Sequence, residues 1–212
     1  MSKLNINRPF PYRFYNATFY LIAANLIVFM ITMISQQALN YLAMNPVLVI
    51  RHGFVWQIVT YMFSHAGISH ILFNMLGLFF FGLQVERTIG SDEFLFFYFF
   101  SGIGAGLISL LVYWLTGSFQ VFLLGASGAV FAVLLAFATF YPTARIFIMG
   151  IFPIRAPILV ILYTIIELLS QFSATSSNVA HLTHLAGFGI AFVYLIWRQG
   201  KNPVQVFLDS YR

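Results

Sequence analysis

Charge is almost absent from long stretches of this chain. No Lys, Arg, Asp or Glu interrupts Phe14 to Ile50, His52 to Val85 or Phe94 to Ala144, and only 7% of the 212 residues are charged. An ordinary soluble domain carries roughly a quarter charged residues, enough to coat a globule; this chain has too few. With 61% hydrophobic residues and 26 phenylalanines, and a mean hydropathy of +0.91, its outside as well as its core must face something apolar. That surrounding is lipid. A water-soluble enzyme is excluded, and the sequence predicts an integral, multi-pass membrane protein.

The scattered charges mark the edges of the apolar runs. Six spans are predicted, approximately Ala17 to Ser35, Ile68 to Val85, Phe94 to Leu115, Ser127 to Tyr141, Pro157 to Phe172 and Val179 to Trp197. The reading is an all-α six-transmembrane-helix bundle, one domain over 1–212 with short basic tails at both ends. The fourth and fifth runs fall short of the roughly 20 residues that cross a hydrocarbon core. Six crossings put both termini on one side, with Lys3, Arg8, Arg13, Arg87, Arg145, Arg155, Arg198, Lys201 and Arg212, while only Arg51 falls on the other. Basic residues collect on the cytoplasmic side, so both termini are predicted to be cytoplasmic. The net charge of +5 is thus a record of topology, and no nucleic-acid partner is expected. Trp56, Trp114 and Trp197 fall in a loop or at span ends, as interfacial anchors do. The first span is too long, and lacks a clear small-residue cleavage site, for a removable signal peptide. Gln36 to Gly67 is the long segment outside the spans, rich in apolar and aromatic residues, and is predicted to lie half buried in the outer interface.

In lipid every polar side chain needs a reason, which makes the intramembrane polar residues the functional search. They are Asn25, His70, Asn74, Ser101, Ser109, Ser127, Thr164, Glu167, His181, Thr183 and His184. Two ways of cutting peptides within membranes fail at once. His-Glu-x-x-His is absent, and Asp92 and Asp209 lie in a loop and a tail, not as a facing pair. With no cysteine there is no thiol nucleophile and no disulfide. His181-x-x-His184 has metal-ligand spacing, but no third ligand is evident nearby, so neither metal nor cofactor is expected.

What remains is Ser127 in Gly125-Ala126-Ser127-Gly128. Glycine beside a serine permits a tight turn and leaves the hydroxyl uncrowded, as a nucleophile requires; alone, the same motif usually marks close helix packing. Gly128, Ala132 and Ala136 make a small-residue groove on the fourth span, and Gly187 and Ala191 make one on the sixth. Packed together, the two grooves bring Ser127 to His184, the base a serine needs. His181 is a second candidate base, a turn nearer the outer surface and without the glycine three residues on. From Ser127 to Tyr141 the helix rises about 21 Å, which sets the serine several ångströms below the outer boundary and calls for a water-filled cavity open to the outside. His70 and Asn74, four apart on one helical face, together with the Ser127 N–H, offer donors for an oxyanion; a structural hydrogen bond between helices is the competing reading.

These motifs in combination resemble the rhomboid family of intramembrane serine proteases over nearly the whole chain. His65-x-x-x-x-His70-x-x-x-Asn74 is similar to the family's second-span motif, Gly125-x-Ser127-Gly128 to its nucleophile motif, and His184-x-x-Gly187-x-x-x-Ala191 to its sixth-span motif. The resemblance implies a Ser127–His184 dyad without a third acid, and an oxyanion site from His70, Asn74 and the Ser127 amide. It also implies an aromatic, Phe131, packed on the histidine. The depth of Ser127, below the outer boundary but above the midplane, sets the expected substrates as single-span membrane proteins cut near the outer end of their helix; the expected location is a bacterial cell membrane. The alternative is a silent relative that binds membrane proteins without cutting them. The chain departs from the family at Trp56-Gln57, where an arginine is usual after the tryptophan, and at Ala191 in place of a common glycine. Glu167, near the outer end of the fifth span, reads as a residue reaching the interface, with proton handling as the less favoured role. Oligomeric state has no signal in the sequence.

Overall fold

The computed structural model describes residues 8–148, 151–171 and 178–212. Its helices are α1 (Ala17–Ile34), α2 (Gln36–Leu42), α3 (Pro46–His52), α4 (Gln57–Thr60), α5 (Ile68–Gly77), α6 (Leu83–Ile89), α7 (Ser91–Leu115), α8 (Ser127–Phe140), α9 (Ala156–Gln171), α10 (Asn178–Gln199) and α11 (Pro203–Asp209). Among the described residues, three helices are long and apolar enough to cross a membrane: Ala17–Ile34, Ile68–Ile89 and Ser91–Leu115. The second joins α5 to α6 through a π turn at Leu78–Gly82. Shorter apolar helices cover Ser127–Phe140 and Ala156–Ser170. The predicted second span stops at Val85, whereas the helix continues to Ile89. Phe172, the predicted end of the fifth span, lies outside the described residues.

Helix α8 stands at the centre. It touches α5, α6, α7, α9, α10 and α11, and every residue from Ala132 to Thr139 is buried. A helix apolar on all sides and carrying no charge suits a position surrounded by other helices. The closest approach is to α10, where a Cβ built on Gly187 would fall inside the Gly128 carbonyl. Ala132, Ala136 and Ala191 are also buried along these two helices. The small-residue grooves are therefore a real contact. On α7, Gly102 and Gly106 leave room for Met62 and Tyr61, which is the packing role that a glycine run inside a span suggests.

Several charges that mark span edges in the sequence are inside the protein. Glu86, Glu93 and Arg198 are buried. At the start of α1, Glu86 accepts from the Ala17 N–H (2.5 Å), the Thr18 N–H (2.9 Å), the Thr18 hydroxyl (2.6 Å) and the Ser91 hydroxyl (2.5 Å). Those amides have no partner within their own helix, and a carboxylate there also faces the positive end of the helix dipole. Glu93 accepts two bonds from Arg198, from Nε at 2.8 Å and Nη2 at 2.5 Å, one from the Tyr194 hydroxyl and one from the Phe10 N–H at 3.0 Å. This bidentate pair fastens α7, α10 and the N-terminal segment at one end of the bundle.

The segment from Gln36 to Gly67 is folded, not a bare loop, and it holds α2, α3, α4 and a 3₁₀ turn at Tyr61–Phe63. Gln57, which stands where the family has arginine, is fully buried. It accepts from the Asn45 N–H at 3.1 Å and donates to the carbonyls of Asn40 and Tyr41, both at 3.2 Å. A neutral amide thus supplies both donors and an acceptor, and the hold on this segment is satisfied without arginine. Trp56 stacks on Phe54 with ring centroids 4.5 Å apart and donates to the Tyr41 carbonyl at 3.0 Å.

The all-α expectation is corrected between α8 and α9. An antiparallel hairpin pairs β1 (Arg145–Ile148) with β2 (Phe152–Arg155), Arg145 opposite Arg155. Phe147, Ile151 and Phe152 are exposed on it. A connection lying beside apolar surroundings has to satisfy its own backbone groups, and pairing two short strands does so.

Candidate active site

Ser127 opens α8 as its first helical residue, and the turn that delivers it depends on Gly125. That residue has φ +115°, a region L side chains avoid, and a Cβ there would lie 2.6 Å from His70 Nε2. Ala126, before the serine, gives the helix no side-chain cap, so no capping side chain of its own covers the first N–H groups of α8. The serine hydroxyl lies 2.7 Å from His184 Nε2. His184 is carried there by the α8–α10 contact through Gly128 and Gly187. Phe131, one turn beyond the serine, stacks on the imidazole with centroids 4.2 Å apart and planes 9° from parallel.

His70 reaches the site from α5. Its Nδ1 accepts from the Ala66 N–H at 3.4 Å, which leaves the ring proton on Nε2, the nitrogen set against Gly125. His65 supports it edge to face, centroids 5.1 Å apart. His65 is buried and its Nδ1 lies 3.3 Å from the Phe63 carbonyl. Burial, and next the neighbouring His70, push its pKa down to about 4, so it stays neutral at ordinary pH. Asn74 is brought to the same wall, with its amide donating at 2.8 Å to the His70 carbonyl one turn back. One of its two N–H groups is thereby spent within α5.

Two readings of Glu167 are corrected. It does not extend to the surface: it is 6% exposed and turns inward from α9. Nor is His184 without an acid, since Glu167 Oε1 lies 3.0 Å from His184 Nδ1. That contact is at ion-pair distance without the alignment of a hydrogen bond. Its other oxygen, Oε2, is 2.5 Å from His181 Nδ1. The reason is geometric. His181 and His184 are three apart and share a face of α10, and α9 packs on that face. Each residue stood among the intramembrane polar positions, but one sequence does not reveal which helix lies beside α10. The expectation that no third ligand stands near His181 and His184 is corrected as well, because donor atoms of Glu167, His181 and His184 lie within 4.8 Å of one another. As placed, both imidazoles already turn a nitrogen to the carboxylate.

The site opens into a cavity of about 640 Å³ lined by His70, Phe73 and Asn74 of α5, Ser127, Phe131 and Leu134 of α8, Leu159 and Tyr163 of α9, His184 of α10, and Ile146 and Phe147 of the hairpin. Its walls are mostly apolar, with polar groups gathered at the serine.

Comparison with known proteins adds family to geometry. The family model for the rhomboid domain matches residues 52–199, which takes in every residue of this site. The chain is 33% identical over 169 residues to "RHOMBOID-like protein 1" of Arabidopsis thaliana, covering 76% of this chain and 41% of the relative. It is similar also to "RHOMBOID-like protein 12, mitochondrial" of the same plant, 30% identical over 68% of this chain and 46% of the relative. To "RHOMBOID-like protein 6, mitochondrial" it is 29% identical, over 71% of this chain and 48% of the relative. The chain spans less than half the length of these relatives.

Proposed function

This chain belongs to the rhomboid family, and from that premise we propose that it is an intramembrane serine endopeptidase that cleaves transmembrane protein substrates through Ser127 and His184. The observation that carries the reading is the 2.7 Å contact between the Ser127 hydroxyl and His184 Nε2 at the wall of an open cavity. His184 takes the hydroxyl proton as Ser127 attacks the peptide carbonyl, then returns it to the leaving amine; water, activated by the same histidine, releases the acyl group. The oxyanion forms against the Ser127 N–H, His70 Nε2–H and the second Asn74 N–H, groups that share the lining of one cavity. Phe131 fixes the plane of the imidazole.

The topology proposed with it has six spans in one domain and both termini cytoplasmic, in a cell membrane. Substrate enters between α5 and α9, whose facing residues line the cavity. A transmembrane helix bonds its carbonyls internally, so it must unwind to offer one, which favours substrates with small or helix-weakening residues near the outer end of their span.

The test is purified protein in detergent with a fluorescent single-span substrate, beside Ser127→Ala and His184→Ala. Each variant is expected to abolish cleavage while remaining folded, and the double variant to be no worse, because the two act as a unit. A serine-directed fluorophosphonate is expected to label Ser127. Undiminished cleavage by either variant refutes the assignment. Failure of the wild type to cleave or to label makes the chain a silent member of its family.

A further inference from the structure

Helix α9 carries one charged residue, and it faces inward. An ionised carboxylate on an apolar helix is retained only where partners compensate its desolvation. Glu167 has two, His181 and His184, one for each oxygen. We propose that Glu167 is a positioning residue for His184, holding the imidazole with its proton on Nδ1 so that Nε2 stands as the proton acceptor for Ser127. The inference rests on the protease reading above.

The argument is one of tautomers. A neutral imidazole carries one proton, on either nitrogen. With the proton on Nε2, His184 would donate to the Ser127 oxygen and could not take its proton. A carboxylate only accepts, so Glu167 at 3.0 Å from Nδ1 selects the other form and stabilises the imidazolium that follows proton transfer. The ring is then fixed on three sides: its face by Phe131, Nε2 by Ser127 and Nδ1 by Glu167. His181 holds the second oxygen at 2.5 Å and keeps the carboxylate from rotating away. The loose alignment at His184 suits a site without substrate, since such bonds tighten in the reacting complex. A divalent cation among these three residues would do the reverse, because it would occupy Nδ1 and drive the proton onto Nε2.

The experiment compares Glu167→Gln, Glu167→Asp and His181→Ala with the wild type in detergent, reading kcat and KM separately, melting temperature, and the tautomer of His184 by ¹⁵N NMR, assigned against His184→Ala. Glutamine keeps the size but can donate to Nδ1 and so stabilise the wrong tautomer. Glu167→Gln is expected to lower kcat about 10- to 1,000-fold with KM nearly unchanged, and to shift His184 from the Nδ1–H form toward Nε2–H. Aspartate should recover a large part of the rate. His181→Ala should lower kcat less than Glu167→Gln does, since the carboxylate loses the partner of its second oxygen but still reaches His184. Wild-type turnover in Glu167→Gln, or a loss of turnover with the His184 tautomer unchanged, overturns the proposal. So does activity that a chelator removes and Zn²⁺ restores. If the wild type cleaves nothing, the protease reading fails on its own, and the tautomer measurement still decides whether Glu167 orients His184.

Discussion

The contact between Gly187 and Gly128 allows a sharp test of how much the site depends on helix spacing. Replacing Gly187 by alanine puts a methyl group into the Gly128 carbonyl, which is backbone and cannot swing aside. To restore ordinary van der Waals contact, α8 and α10 must part by about 1 Å, and overpacking of this kind costs about 1–3 kcal/mol. The same movement carries Ser127 and His184 apart from their present 2.7 Å, past the range of a useful hydrogen bond. Misplacement of reacting groups by about 1 Å can lower a rate about 100-fold. Gly187→Ala should therefore lose about 100-fold in kcat and lower the melting temperature. Gly189→Ala is the internal control, on the same helix but with nothing within 4 Å of the added Cβ. It should keep full activity and melt no lower, since alanine favours a helix by about 1 kcal/mol over glycine. Cleavage kinetics, fluorophosphonate labelling and thermal melting in one detergent measure all three proteins. A Gly187→Ala variant that cleaves and labels like wild type refutes the claim that this spacing holds the two residues in register.

His70→Ala and Asn74→Ala should each slow turnover about 10- to 1,000-fold while leaving labelling of Ser127 detectable, because the Ser127 N–H remains as a donor; wild-type rates in both would make them structural. His65 supplies a pH dependence of stability. Its pKa of about 4 in the folded protein lies below its unfolded value of 6.5, so the unfolded chain binds more protons between the two. Its contribution is complete above about pH 6.5 and falls away as pH drops toward 4. The melting temperature should fall over that window, and His65→Gln should flatten the fall; an equal slope in the variant would place the dependence elsewhere.

How much of the fold showed in the sequence followed from how local each cause is. The sparse charges located the long apolar helices because a helix in lipid satisfies its backbone within itself, and composition along one segment is then enough. The small-residue spacing on α8 and α10 also spoke plainly, since Gly128 and Gly187 are useful only if another backbone comes close. The hairpin did not. Arg145-Ile-Phe-Ile and Phe152-Pro-Ile-Arg are each too short to show alternation against so apolar a background, and what makes them strands is their pairing with each other. Gln57 was likewise opaque. Its meaning lies in three backbone partners, Asn40, Tyr41 and Asn45, that only the folded segment gathers around it.

The site divides in the same way. Ser127, His184, His70 and Asn74 were legible because each carries its own abnormality, a polar side chain on an apolar span. Their pairing followed from grooves written on the two helices that bring the first two together. Glu167 carries the same abnormality, yet its partner could not be read. Along a helix the sequence says which residues share a face, but nothing on α9 says that its Glu167 face meets α10 rather than the interface. The charges Glu86, Glu93 and Arg198 show the other half of the difficulty. Counted along the chain they mark the ends of apolar runs; in the fold they are buried partners that tie α1 to α6 and α7 to α10. A charge at a span edge therefore has two physical outcomes, exposure at the interface or burial against a neighbour. Helix packing chooses between them, and in Glu167 it chose the one that puts an acid beside His184.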